Sequence, residues 1–398
     1  MSSTRTALVI GGGIAGPAAA MALQKAGIDP VVYEAYPTAA DRVGAFLTLA
    51  SNGVDALRVL DADEPILAAG FPTPRITLRS GTGKRLGASR TGDALPDGTT
   101  SHTIKRADLY RALHEEAVSR GIRVEFGRRL VSAEDTGEGV RAVFADGSVA
   151  AGDVLIGCDG VHSTVRTIID AGAPAPKYAG LLTTGGYARG VRVDSATGAY
   201  EMIFGKRAFF GYAMAPDGNV WWFANVPHPD DRDVGLVDGE GSRERLLDLF
   251  RDDAGPAVEL INATPDIMPM TAIHSMPPLR AWHAGRIIVI GDAAHAPTPT
   301  SGQGASLSIE DAVMLAKCLR DLPDASTAFA RLEAARRPRI ERIVKWATRM
   351  NSSKAAGPVG RVLRDAMLPA VLKMTADSKA LRRTFDYHID WDATSTAA

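Results

Sequence analysis

The chain has 398 residues, of which 45% are hydrophobic; this composition supports two or three domains with a large buried core and excludes a disordered or fibrous protein. The 45 basic and 46 acidic side chains leave a formal charge of −1, so the overall charge does not favour nucleic acid or an anionic membrane as a partner. Cys158 and Cys318 are the only cysteines, which excludes a disulfide framework and a cysteine-rich metal site, and we expect a cytoplasmic protein with no bound metal.

The first predicted elements form a βαβ unit. Residues 6–10 are a short apolar run that predicts a buried parallel strand, residues 14–25 predict a helix, and residues 30–33 predict the next strand. Residues 7–23 are all apolar, glycine or proline, but the glycines interrupt this stretch too heavily for a signal peptide. No other stretch is long enough to span a bilayer, so we expect no stable membrane anchoring.

The remaining elements predict a second sheet between two parts of an α/β domain. A helix at 106–119, short strands at 122–125, 130–133 and 140–144, and a buried strand at 154–157 come first. Aromatic-rich runs at 200–204, 208–215 and 220–226 then predict an antiparallel sheet. A buried strand at 286–290 and helices at 304–319 and 326–350 follow, and Pro338 should kink the last helix.

A glycine-rich segment, Gly11-Gly12-Gly13-Ile14-Ala15-Gly16, joins the first strand to the first helix. In such a loop Gly11 allows a tight turn, Gly13 lets a pyrophosphate approach the backbone, and Gly16 lets the helix pack closely on the strand. Glu34 ends the next strand, where a carboxylate accepts hydrogen bonds from ribose hydroxyls. The pattern predicts a dinucleotide site for FAD or NAD.

Two further motifs follow predicted strands. Residues 157–166 contain Asp159, and residues 291–297 contain Asp292. Both acids stand at the carboxyl end of a strand, where open α/β sheets bind ligands, although either could instead cap a helix. The backbone N–H groups of residues 302–305, which open a helix, can hold an anionic or electron-rich group.

In their order and spacing these three motifs resemble the FAD-dependent aromatic hydroxylase family, the single-component flavin monooxygenases that include para-hydroxybenzoate hydroxylase. The resemblance extends to about Met350 and is strongest to the compact branch with urate hydroxylase, salicylate hydroxylase and the tetracycline-inactivating monooxygenases. It implies an α/β fold in which a Rossmann-like FAD-binding domain carries an inserted antiparallel-sheet substrate domain and C-terminal helices. The expected limits are 1–177 and 271–350 for the FAD-binding domain, 178–270 for the substrate domain, and 351–398 for a helical tail.

The resemblance also implies a role for individual residues. It places the ADP part of FAD on the glycine loop and Glu34, the flavin phosphate or ribityl chain on Arg106 and Asp292, and both FAD and NAD(P)H near Asp159. The loop beside the isoalloxazine ring and its reacting face would comprise Pro299, Thr300, Gly302, Gly304 and Ala305.

The family reaction implies an aromatic or polyketide-like small-molecule substrate and O2. NADPH or NADH reduces the FAD, the reduced flavin adds O2 at C4a, and the hydroperoxide hydroxylates an electron-rich carbon. Because water must be excluded from this step, we expect an apolar wall, for which Tyr212, Trp221 and Phe223 are candidates. Rings in such runs are also typical of an ordinary sheet core.

The sequence says less about the substrate contacts than about the FAD contacts. Arg207 matches a substrate-directed arginine of the urate hydroxylase branch and is the one candidate for a catalytic role, but an exposed hairpin arginine fits equally. Trp221 stands where that branch has a tyrosine, which argues against a urate-like substrate. An epoxidase or reductase acting on an isoprenoid alkene is the alternative reaction on this frame. A flavin-binding protein without turnover is disfavoured by the intact Gly302-Gln303-Gly304 loop. The choice of NADH or NADPH, the catalytic base and the oligomeric state stay open.

Overall fold

The computed structural model describes residues 4–38, 45–231, 240–354, 357–375 and 383–396. The strands are β1 (Thr6–Ile10), β2 (Asp29–Tyr33), β3 (Phe46–Leu49), β4 (Gly70–Pro72), β5 (Arg75–Ser80), β6 (Arg85–Arg90), β7 (His102–Lys105), β8 (Arg123–Glu125), β9 (Leu130–Asp135), β10 (Val140–Phe144), β11 (Val149–Gly152), β12 (Val154–Gly157), β13 (Lys177–Ala188), β14 (Ala199–Phe204), β15 (Phe209–Met214), β16 (Val220–Pro227), β17 (Thr271–Ser275), β18 (His283–Ala284) and β19 (Ile287–Val289). The helices are α1 (Ala15–Lys25), α2 (Ser51–Val59), α3 (Asp63–Ala68), α4 (Arg106–Ser119), α5 (Thr164–Ile169), α6 (Glu240–Phe250), α7 (Ala257–Asn262), α8 (Gly304–Asp321), α9 (Ala325–Lys354) and α10 (Pro358–Thr375).

A six-stranded sheet in the order β18-β19-β12-β1-β2-β8 forms the first domain, with every pairing parallel except β18 with β19. Its central strands are short apolar runs buried on both faces, since helices α1 and α8 pack together on one side and a second apolar cluster covers the other. The small antiparallel sheet β11-β10-β9 lies in the second cluster. The predicted α/β fold class is confirmed.

A seven-stranded sheet in the order β17-β13-β16-β15-β14-β5-β6 forms the second domain. Strands β5 and β6 come from the first hundred residues, and β14 pairs with β5 in parallel. The predicted limits of 178–270 for this domain therefore leave out β5, β6 and β17. Those strands join through long-range pairing that local sequence patterns do not show.

The two faces of the seven-stranded sheet have different neighbours. Side chains alternate along each strand, so Trp222 and Phe210 pack against α6 and α7, whereas Trp221 and Phe223 point to the other face. That other face meets β3, β4 and β7, a three-stranded sheet between the two domains.

Helix α9 continues through Pro338 without a break in its helical assignment, so the predicted kink does not divide it. The next helix, α10, packs against β6, where Leu368 and Leu372 contact the apolar cluster around Phe204 and Phe209. Within the described ranges, no helix has the length and apolarity needed to cross a bilayer.

Buried charges join helices α8 and α9. The Arg336 guanidinium lies 2.5 Å from Glu310 and 2.7 Å from Asp311, and Arg339 lies 2.9 Å from Glu310. His295 approaches Asp311 to 2.5 Å. Burial alone would raise the pKa of Asp311, but the positive charges of His295 and Arg336 lower it to about 2. Mutual pairing offsets the desolvation of these groups, and the network holds the segment after β19 against α8.

Replacing Arg336 with methionine should destabilise the protein, because Glu310 and Asp311 would keep their buried charges and lose a partner. We expect the free energy of unfolding, measured by chemical denaturation, to fall by about 3 kcal/mol. The control Arg342→Met, at an exposed position of the same helix, should change it by less than about 0.5 kcal/mol. Equal effects of the two variants would contradict this account of the network.

Candidate active site

Three strand ends meet at the glycine loop. Gly11 follows β1 with a φ of +107°, and a Cβ atom there would lie 2.4 Å from the carbonyl oxygen of Cys158, which follows β12. A Cβ at Gly16 would lie 1.8 Å from the Gly11 carbonyl oxygen. At Gly13 a Cβ would meet no protein atom within 4 Å. Gly11 and Gly16 therefore permit close packing, while Gly13 leaves room for a ligand at the start of α1, beside Ile14 and Ala15.

Glu34 stands at the end of β2 beside this loop. Its carboxylate accepts hydrogen bonds from the backbone N–H of Gly12 at 2.6 Å and of Tyr36 at 2.9 Å. Two bonds leave acceptor capacity on the two oxygens, so the carboxylate is held in place and can still receive ribose hydroxyls.

Asp292 lies in the short turn Gly291–Ala293 after β19. Its Oδ1 atom is 3.9 Å from the position of a Cβ on Gly304, so the third motif and the start of α8 are adjacent. Withdrawal from water raises the pKa of Asp292, and the charges of Arg106 and His295 oppose this shift. Among the described residues its carboxylate has no hydrogen-bond donor, and hydroxyl groups of a ligand would supply one.

Arg106 begins α4 directly after β7, as the sequence predicts. Its Nε donates a hydrogen bond to the Tyr110 hydroxyl at 3.0 Å, and its charge acts on Asp292. The two predicted contacts to the ribityl and phosphate region thus face one another.

The loop before α8 contains polar groups that the protein leaves unpaired. Gly302 adopts the left-handed conformation with a φ of +59°, and Gln303 is fully buried. The side-chain oxygen Oε1 of Gln303 accepts a hydrogen bond from Asn52 Nδ2 at 2.9 Å, but in the described parts of the chain Gln303 Nε2 and Asn52 Oδ1 have no partner. Buried polar groups rarely lack a hydrogen-bond partner. These two atoms therefore indicate a polar ligand beside the N-terminus of α8, an 18-residue helix.

Sequence reasoning missed Asn52. It lies on α2, immediately after β3, and no motif marks it. Its side chain reaches Gln303 and also donates to Glu310 at 2.5 Å, which ties β3 and α2 to the loop at residues 302–305. Pro299 is exposed at the other end of the same loop, where the predicted reacting face would be.

Asp159 has the structural role that the sequence left open as an alternative. Its carboxylate accepts hydrogen bonds from Ser163 Oγ at 2.5 Å and from the backbone N–H of Thr164 at 2.7 Å and of Val165 at 3.1 Å. These contacts cap the start of α5 and occupy both carboxylate oxygens of Asp159. Contact of this carboxylate with the cofactor is therefore not supported by its geometry.

Two of the three residues predicted to form an apolar wall, Trp221 and Phe223, lie together, and the third, Tyr212, lies elsewhere. Trp221 and Phe223 lie in one cluster with Phe46, whose ring centroid is 5.7 Å from that of Trp221 and 5.9 Å from that of Phe223. Tyr212 pairs with Trp222 on the neighbouring strand and belongs to the cluster beneath α6 and α7. The prediction for Tyr212 is wrong, because strand alternation places its ring on the opposite face of the sheet.

Arg207 does not point to the aromatic face. It lies in the turn between β14 and β15, and its guanidinium contacts Asp248 at 2.9 Å and Asp252 at 3.4 Å. Both acids lie on the side of α6, away from Trp221 and Phe223. Arg207 is therefore a hairpin arginine, which was the alternative interpretation of the sequence. The predicted contact between Arg207 and the substrate does not match the geometry.

The glycine loop allows two matched substitutions. In Gly13→Ala the added methyl group meets no protein atom, so the melting temperature of the FAD-free protein should not change while the affinity for FAD falls. In Gly16→Ala the methyl group collides with the Gly11 carbonyl, and the fold should lose about 3 kcal/mol or more. Thermal unfolding and FAD titration would measure both effects. Unchanged FAD affinity in Gly13→Ala would show that no pyrophosphate lies there.

Replacing Asp292 with asparagine should weaken FAD binding, because a charged acceptor of hydroxyl hydrogen bonds is lost. Such a bond is worth about 1.5–3 kcal/mol, so the Kd for FAD should rise roughly tenfold to a hundredfold. Fluorescence titration of the FAD-free protein measures this change. The control Asp217→Asn, in the turn after β15, should retain wild-type affinity; if both variants do, Asp292 is misassigned.

Comparison with known proteins agrees with this geometry. The FAD binding domain family matches residues 4–347. An aurachin C monooxygenase/isomerase from Stigmatella aurantiaca is 33% identical over 355 residues, covering 88% of this chain and 90% of that protein. An FAD-dependent urate hydroxylase from Klebsiella pneumoniae is 32% identical over 348 residues, covering 85% and 87%. The crystal structure of Klebsiella pneumoniae HpxO with FAD and uric acid superimposes with a TM-score of 0.81 at 26% identity, covering 96% of this chain and 98% of that one. The chain therefore belongs to the FAD-binding aromatic hydroxylase family of flavin monooxygenases.

Proposed function

We propose that this protein uses NADPH or NADH and O2 to hydroxylate an aromatic or polyketide-like small molecule on its bound FAD. One observation carries the proposal: a loop with unpaired polar groups and an apolar aromatic sheet face are joined through the short segment of β3 and α2. The first suits a flavin ring and the second suits a flat organic substrate. The relatives' names, a urate hydroxylase and an aurachin C monooxygenase/isomerase, support the same class of reaction.

The residues present fit FAD. Gly13 leaves space at the start of α1 for the pyrophosphate, Glu34 offers acceptors to the adenosine ribose, and Asp292 with Arg106 would hold the ribityl chain and phosphate. FAD supplies the electron transfer and the oxygen chemistry when bound, and the protein supplies position and electrostatics.

The loop at residues 302–305 would stabilise negative charge on the flavin ring. The backbone N–H groups of Gly302 and Gln303 donate within the loop, to Pro299 and Ser301. Those of Gly304 and Ala305 lie in the first turn of α8, where helix donors have no intrahelical partners and the end of the helix dipole is positive. Gln303 Nε2 adds one more buried donor. Donors that are already in place need no rearrangement when charge develops, which is how preorganised sites lower barriers.

The aromatic face would exclude water from the reacting atoms. Phe46 is the first residue of β3, and its ring bridges Trp221 and Phe223. A few residues later the backbone N–H of Ala50 donates to Ser306 Oγ at 3.1 Å, at the start of α8. The face that would contact the substrate is thereby fixed relative to the loop that would contact the flavin.

The proposed reaction predicts that an aromatic substrate accelerates the oxidation of NADPH or NADH by the FAD-loaded protein and gains an oxygen atom from O2. A panel of hydroxylated arenes and polyketide-like compounds would be tested with O2 labelled with the heavy oxygen isotope, followed by mass spectrometry of the products. Parallel reactions in labelled water are the control. Label from water alone, or reduced cofactor consumption without any oxygenated product, would contradict the proposal.

A further inference from the structure

Lys354, the last residue of α9, reaches the aromatic face of the seven-stranded sheet. Its Nζ donates a hydrogen bond to the Asn225 side-chain oxygen at 2.7 Å and lies 4.2 Å from the centroid of the Phe209 ring. Asn225 is buried, and its amide nitrogen donates to Thr183 Oγ1 at 3.2 Å. This second bond fixes the amide so that its oxygen faces the lysine.

The amine lies along the same surface as the predicted wall. Trp221, Phe223 and Asn225 occupy alternate positions of β16, so all three side chains leave the strand on one face. Phe209 connects the lysine to this wall, since its ring centroid is 6.0 Å from that of Phe223. Helix α9 also packs against the turn Pro299–Ser301, which belongs to the loop assigned to the flavin. The helix that ends at Lys354 therefore contacts the loop assigned to the flavin, and its last residue contacts the aromatic face.

No negative charge accompanies this lysine in the described residues. The sheet presents the neutral side chains of Phe209 and Asn225 to Nζ, and no titratable or charged group of the described chain acts on it. Burial alone lowers the pKa of Lys354 to about 7. Lys354 is half-buried. An ammonium group that is partly withdrawn from water and has no counter-ion is costly, and an apolar side chain would fill this position better if packing were its only role.

We propose that Lys354 is the residue that selects the substrate: it binds an acidic hydroxyl group, a phenol or an enol, on the ring to be hydroxylated and takes its proton. This inference rests on the proposed hydroxylase function and names the substrate class more closely. Asn225 is a positioning residue, because it acts only through the amine.

The step is a simple proton transfer. The O–H bond of the substrate breaks, an N–H bond forms on Nζ, and the resulting oxyanion stays paired with the ammonium. No electron enters or leaves. A ring with an ionised hydroxyl is richer in electrons than the neutral ring, and electron-poor oxygen reagents react faster with it. A charge-assisted hydrogen bond to the oxyanion would also fix which ring edge approaches the flavin.

The experiment measures binding to the oxidised, FAD-loaded protein and needs no turnover, so its outcome is separate from that of the hydroxylation test. The probe is 4-nitrophenol, whose ionised form absorbs visible light and is followed by difference spectra from pH 5 to pH 9. Wild type should bind it as the phenolate, with an affinity that passes through a maximum near pH 7, because binding needs both a protonated Lys354 and an ionised phenol.

Three variants make the test specific. Lys354→Met should bind the phenolate at least about tenfold more weakly. Lys354→Arg keeps a charge that does not titrate in this range, so its affinity should rise with pH and then stay constant. Lys345→Met, an exposed lysine on the same helix, makes the same change of charge and should behave as wild type.

Stability provides an independent readout. The folded pKa of Lys354 lies below its value of 10.5 in an unfolded chain, so the penalty for burying it is fully present below pH 7 and fades as the pH rises toward 10.5. Lys354→Met should therefore melt at a higher temperature than wild type at pH 6, and the difference should shrink by pH 10. No saturable phenolate binding by wild type, or identical pH profiles for wild type and Lys354→Arg, would overturn the proposal.

Discussion

Polar groups that the protein withdraws from water and leaves unpaired define this site. Gln303 Nε2 and Asn52 Oδ1 have no hydrogen-bond partner among the described residues. Folded proteins normally pair buried polar groups with a hydrogen-bond partner. The two unpaired atoms lie on facing side chains beside the start of α8, which points to a polar ligand at that place.

The backbone of the glycine loop is shaped by close packing and by access for a ligand. Gly16 must contact the Gly11 carbonyl, and Gly11 must pass the backbone at Cys158, so the segments that follow β1 and β12 pack closely against each other. Gly13 serves another purpose, because a side chain there would not disturb the protein. Three glycines in one motif thus divide between packing and ligand access, in the way that the sequence pattern predicts.

The sequence predicted the structure best where a feature depends only on residues that are close together in the chain. The limits of β1 and α4 and the turn after β19 follow from short patterns with a physical cause, whereas the roles expected for Asp292 and Arg106 rest on the family resemblance. Contacts between distant segments could not be predicted. Strands β5 and β6 pair within the second sheet, and Asp248 forms an ion pair with Arg207. Lys354 forms a hydrogen bond with Asn225, which is 129 residues away in the sequence. The error at Tyr212 has a simpler origin, since the face of a strand residue depends on its register with neighbouring strands.

One segment of the chain connects the two surfaces of the site. Segment β3–α2 contacts the aromatic face through Phe46 and the loop at residues 302–305 through Asn52, so one segment fixes the two surfaces relative to each other. The central claim, that this arrangement exists to hold FAD, is tested most directly by the flavin content of the purified protein. Denaturation should release FAD in an equimolar amount to the chain, identified by its mass and spectrum. A colourless protein that cannot be reconstituted with FAD would contradict the account.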